Sequence, residues 1–178
     1  SALILTGVAG SPEHEERFNK WTDETRKVLV EKFGFSSDRV LVLTGKNTAQ
    51  ADIKKAFATL KQQLKPADTF FLFFIGHGSG EGDYKFNISG PDFTAADYNK
   101  LLGSLTVGRI VIVNGTSSSG AAIEPLAGKN RVIVTATRSG QEANETVFYQ
   151  YFVEAFQNAA ADEDKDKKVS VWEAFKYA

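Results

Sequence analysis

The 178-residue chain contains no cysteine and no methionine. Without cysteine there can be no disulfide and no thiolate metal site, and cysteine usage gives no clue to the redox compartment. Without methionine, Ser1 is not a translation start. It is expected to be a cleavage or cloning scar left after removal of any signal peptide, so localisation stays open, a secreted or periplasmic protein being one option. Proline is scarce, with 4 residues, and there are only 2 histidines. His14 and His77 lie in unrelated motifs, with no H-E-x-x-H, and their spacing does not suggest zinc. Charge of one sign is also missing: 21 Lys+Arg stand against 22 Asp+Glu, a net charge of -1. No global field draws the chain to nucleic acid or anionic lipid. Apolar runs such as Phe70 to Ile75 are far shorter than the roughly 18 residues of a membrane span. Gly7 to Ser11 lacks the spacing of a dinucleotide loop, and Gly45-Lys46 lacks the remainder of a P-loop.

What is present is an ordinary globular composition, 42% hydrophobic and 24% charged. At roughly 150 residues per domain, the length predicts one domain over 1–178, long enough to bury a core without covalent staples. Short β-branched and aromatic runs alternate with helical stretches. Strands are predicted at Ala2 to Val8, Arg39 to Leu43, Thr69 to Ile75, Arg109 to Val113 and Arg131 to Ala136. Tyr84 to Ile88 alternates like a hairpin arm. Helices are predicted at Glu13 to Phe33, Thr48 to Leu64 with Thr48 as cap, Thr94 to Leu105, Gly120 to Leu126, Thr146 to Asn158 and from Val171 onward. The alternation predicts a three-layer α/β domain of about six mainly parallel strands with helices on both faces. Ligands of such sheets bind beyond the carboxyl ends of the strands, which directs attention to the residues following each one.

After the third strand comes Gly76-His77-Gly78, an imidazole in a loop whose backbone can approach a ligand closely. A locally hydrogen-bonded turn histidine is the plain alternative. After the fourth comes Asn114-Gly115-Thr116-Ser117-Ser118-Ser119-Gly120, hydroxyls at a strand-to-helix turn with free amides at the helix start. Its plain alternative is a helix cap.

An apolar strand with His77-Gly78, followed about 40 residues later by a second one ending in x-x-x-S-x-S-G, resembles the core of the caspase-like (clan CD) cysteine peptidases, closest to the legumain family. There the second strand ends in Cys-x-Ser-Gly, so Ser119-Gly120 places Ser117 where the cysteine belongs. The resemblance spans most of the chain, including Thr135 to Gly140 and the closing helices. It implies a His-Cys dyad acting on peptide bonds, with His77 as base and the amides of Gly78 and Ser117 as oxyanion donors. Ser117 departs from it at the reacting atom. A thiol ionises near pH 8.5, whereas an alcohol needs a stronger base and an orienting carboxylate. The expectation is an inactive or very weak peptidase that binds a peptide or protein segment. It is either a native pseudo-peptidase or a Cys-to-Ser form of an active enzyme. A non-catalytic interaction scaffold and a serine hydrolase using His77 and Ser117 are the alternatives. No cofactor is required.

Arg138 and Glu142, with Glu145, follow the fifth strand where relatives build the wall of the substrate pocket; charged groups there could read a polar side chain. Glu13, His14 and Arg17 are similar candidates after the first strand, with a solvated helix surface as the plain reading. Finally, Asp162 to Glu173 resembles an EF-hand or dockerin-type calcium loop. Asp162, Asp164, Asp166, the Lys168 carbonyl, Ser170 and Glu173 stand at ligand positions, and Ca2+ is the one candidate ion. Lys167 departs from the usual glycine, and Ser170 with Glu173 equally forms a capping box that starts the last helix.

Overall fold

The computed structural model describes residues 1–178. Five strands pair in parallel: β1 (Ala2–Thr6), β2 (Val40–Thr44), β3 (Thr69–Ile75), β7 (Arg109–Asn114) and β8 (Arg131–Thr135), in the order β2-β1-β3-β7-β8. Their near-continuous apolar sequences follow from burial on both faces. Leu3, Leu5, Phe70, Leu72 and Phe74 point into one core, while Ile4, Phe71, Phe73 and Ile75 point into the other. The first core is closed by α2 (Gln50–Gln63), α3 (Ala95–Gly103) and the short α4 (Ile123–Leu126). The second is closed by α1 (Pro12–Glu31), α5 (Phe148–Ala155) and α6 (Val171–Tyr177). This is the three-layer α/β domain the alternation predicts. No helix is long and apolar enough to cross a membrane.

The expected sixth strand does not join the sheet. The Tyr84 to Ile88 segment gives only β5 (Lys85–Phe86), paired antiparallel with β4 (Gly78–Ser79) and β6 (Phe93–Thr94) in a small separate ladder. Tyr84 and Phe86 are buried and alternate with exposed Lys85, so the period-2 pattern reports a two-residue contact over the core. Thr48 does not cap α2. Its hydroxyl donates to the Gly45 carbonyl at 2.5 Å, closing a tight turn, and Ala49 takes the cap position without a side-chain bond. Thr94 caps α3 through a capping box with Asp97.

The topology decides where a ligand can sit. From β1 the chain runs outward to β2, then returns to β3 on the other side of β1. At such a reversal the loops after the two central strands diverge and leave a crevice. The loop after β1 (Gly7 to Ser11) and the loop after β3 (Gly76 to Gly78) flank it.

Candidate functional site

His77 leaves β3 behind Gly76, whose φ of 140° is in the region that favours glycine. The half-buried ring is fixed on two sides. Its Nε2–H donates to the Ala9 carbonyl at 3.1 Å. Its faces and edges meet Phe18 at 5.1 Å and His14 at 4.8 Å between ring centroids, both T-shaped. A carbonyl only accepts, so Nε2 carries the proton of the neutral ring and Nδ1 keeps a lone pair.

Ser117 lies beside Gly78 and is 4% exposed. Its Oγ accepts from the Gly78 amide at 3.2 Å and donates to the Gly78 carbonyl at 2.9 Å. The hydroxyl therefore bonds both backbone groups of the residue after His77, and not the imidazole. The contact requires glycine: a Cβ at position 78 would stand 2.7 Å from Thr116 Oγ1 and 2.8 Å from the Ser117 carbonyl. His77, Gly78 and Ser117 are thus brought to one rim.

Behind them is a buried polar set that the sequence reading did not single out. Tyr84 Oη donates to Asn114 Oδ1 at 3.2 Å and shares a 2.8 Å bond with Thr116 Oγ1, which itself donates to Asn114 Oδ1. Burial pushes the Tyr84 phenol well above its ordinary range, so it remains a neutral hydrogen-bonding group. The available signal was a polar Asn114 ending an otherwise apolar strand. Ser118 is left-handed at φ 55°, with its amide donating to the Glu142 carbonyl at 2.9 Å. Ser119 Oγ and the Gly120 amide meet Thr137 Oγ1, at 3.3 and 2.9 Å. The hydroxyl run is therefore a structural hub that ties the turn after β7 to the loop after β8.

Arg138 and Glu142 are both exposed on that second loop. Glu142 accepts from the Arg138 amide at 3.3 Å, so one carboxylate oxygen folds back on its own loop. Glu145 reaches across to α1, taking Arg17 Nη1 at 2.6 Å and His14 Nε2–H at 3.1 Å. Ser11, the cap of α1, meets His14 Nδ1 at 2.8 Å. His14 and Arg17 therefore belong to the rim and not to a plain solvated helix surface, whereas Glu13 is exposed. The signal was His-x-x-Arg at helical spacing in the first turns after a central strand.

In the acidic loop, carboxylate oxygens of Asp162, Asp164 and Asp166 lie within 4.8 Å of one another. Glu173 is not with them. Its Oε1 accepts from the Glu163 and Asp164 amides, and its Oε2 accepts from the Ser170 amide and hydroxyl. Those bonds, led by the Ser170 amide, hold its carboxyl down to about 2. Ser170 is committed to the same capping box, and the Lys168 amide bonds Asp166. Of the six ligand positions that the calcium-loop resemblance implies, three converge and two close the helix cap instead.

Comparison with known proteins adds two findings. A family model described as Peptidase C13 family matches residues 36–178. The crystal structure of protein GSU0716 from Geobacter sulfurreducens is similar over 88% of this chain and 81% of its own, with a TM-score of 0.59 at 16% identity. That identity speaks for the fold alone. No curated protein matches the chain.

Proposed function

Because the chain belongs to the Peptidase C13 family, the legumain family, through a match over residues 36–178, we propose that it is a peptidase domain which binds peptide or protein segments at the carboxyl rim of the sheet and cleaves them weakly or not at all. Proteins of this family need no cofactor. Ser117 occupies the place where the family carries its cysteine, His77 that of the base, and the amides of Gly78 and Ser117 those of the oxyanion donors.

The observation that carries this reading is the bonding of Ser117. An alcohol attacks a carbonyl carbon only if a base takes its proton in the same step. Ser117 Oγ–H is directed at the Gly78 carbonyl, which cannot accept a full proton, and the Gly78 amide expected to hold an oxyanion already points at Oγ. Nδ1 of His77 is the free ring acceptor, but its partner on Nε2 is the neutral Ala9 carbonyl and not a carboxylate. Loss of one activating partner from a working triad lowers turnover by about 10⁴-fold. A thiol at position 117 would need less assistance, because it ionises near pH 8.5 and so far more readily than an alcohol. Arg138, exposed on the loop after β8, is the guanidinium available to a polar side chain of the bound segment, and Glu142 supports the loop that presents it.

The test is Ser117→Cys, assayed on short peptides that vary the residue before the scissile bond. Hydrolysis should appear in this variant, be far weaker or absent in the parent chain, and vanish in Ser117→Cys/His77→Ala. A folded Ser117→Cys protein with no hydrolysis of any peptide in the set would remove the peptidase reading and leave an interaction scaffold.

A further inference from the structure

From the loop after β1 we infer a second nucleophilic centre, independent of Ser117: Ser11, His14 and Glu145 form a serine–histidine–carboxylate relay suited to acyl transfer from small carboxylic esters. Glu145 has only acceptor oxygens when ionised, so His14 Nε2, 3.1 Å away, must carry the ring proton of the neutral imidazole. That leaves the lone pair on Nδ1, which accepts Ser11 Oγ–H at 2.8 Å. The direction of both protons is thereby fixed, as a general base requires. Arg17 Nη1, 2.6 Å from the other Glu145 oxygen, holds the carboxylate from a distant loop against α1.

The contrast with Ser117 is chemical. Ser11 gives its proton to a base; Ser117 gives its proton to a carbonyl. Ser11 is half-buried and borders a cleft of about 500 Å³ lined by Gly7, Ala9, Glu15, Asn19 and Lys46. Charge developing on the ester oxygen has one donor nearby: the Glu13 amide, at the positive end of a 20-residue helix, has no acceptor, whereas the His14 amide is taken up by Ser11 Oγ at 3.3 Å. The polar lining of the cleft suits a short, polar acyl group.

The step balances as follows. Ser11 Oγ forms a bond to the ester carbonyl carbon while its proton moves to His14 Nδ1, and Glu145 faces the resulting imidazolium at Nε2. The carbon–alkoxide bond then breaks, the leaving alcohol takes the proton from Nδ1, and an acyl group stays on Ser11. Water repeats the sequence to release the acid. Ser11 and His14 are the reacting groups; Glu145 is a positioning residue.

The experiment is labelling of the full chain by a fluorophosphonate, with the adduct mapped by peptide mass spectrometry and ester turnover followed on p-nitrophenyl methoxyacetate. Labelling is expected on Ser11, unchanged in Ser117→Ala and at least tenfold slower in His14→Asn. Ser11→Asp keeps a capping oxygen and an intact helix by circular dichroism but should lose the adduct. Glu145→Ala should slow labelling at least tenfold, and Glu145→Gln, whose amide oxygen still accepts from His14 Nε2–H, should restore part of the rate; a merely structural role would show no such rescue. No adduct, an adduct only on Ser117, or Ser11 labelling indifferent to His14→Asn would each overturn the relay. Failure here leaves the Ser117→Cys experiment untouched, because neither Ser11 nor Glu145 enters that reading.

Discussion

Two serines, one bonded to His14 and the other to the backbone of Gly78 beside His77, are held by opposite kinds of chemistry. Ser117 is buried among neutral partners: the backbone of Gly78, the hydroxyl of Thr116 and, behind it, Asn114 and Tyr84. Ser11 is half-exposed and linked through His14 to the charged pair Glu145–Arg17. Neutral hydrogen bonds in a dry site are little affected by salt or pH, and each costs stability when broken. Surface ion pairs add little stability and are screened by salt. One hydroxyl is therefore enclosed in the fold, while the other caps α1 from a half-exposed position and is also bonded to a base.

The contrast can be broken most severely at Gly78. Gly78→Ala must push a methyl group into Thr116, Ser117 and the Tyr84 ring, so a loss of about 1–3 kcal/mol is expected in denaturant unfolding, with Ser11 labelling retained. Tyr84→Phe removes one buried donor while Asn114 keeps its bonds from Thr116; about 1 kcal/mol should be lost, read in the same way.

Acid separates a third region from both serines. Glu173 has its folded carboxyl near 2 against an ordinary 4.5, so its contribution to stability is complete above about 4.5 and disappears as the pH falls toward 2. Acid unfolding followed by the fluorescence of Trp172, which neighbours it in α6, should begin in that window. Glu173→Gln should flatten the pH dependence there. The smallest effect belongs to Arg17→Ala. It should change stability by no more than about 1 kcal/mol, and 1 M salt should erase the difference.

How much of this was legible in the sequence follows from what each signal encodes. The five core strands could be read because a strand buried on both faces writes a continuous apolar run, as Phe70 to Ile75 does. The helices on both faces followed from the alternation. The site was partly legible, since His77-Gly78 and the Ser117 turn end adjacent strands. The 131-residue separation of His14 and Glu145 was not legible, because neither residue's neighbours specify a partner across the sheet. Thr48 was misplaced for a local reason: its hydroxyl found a carbonyl three residues back before it could cap the helix ahead. Glu173 satisfied two patterns, a calcium loop and a capping box, and four nearby donors settled it in the second.

The turn from Gly7 to Ser11 couples things that look separate. Its Ala9 carbonyl anchors one imidazole, its Ser11 hydroxyl anchors the other, and the Val8 amide is fastened to Asn87 at 3.2 Å. Lengthening or shortening these five residues would turn both rings at once, so this stretch sets a common clock for the whole rim and leaves little room for insertions.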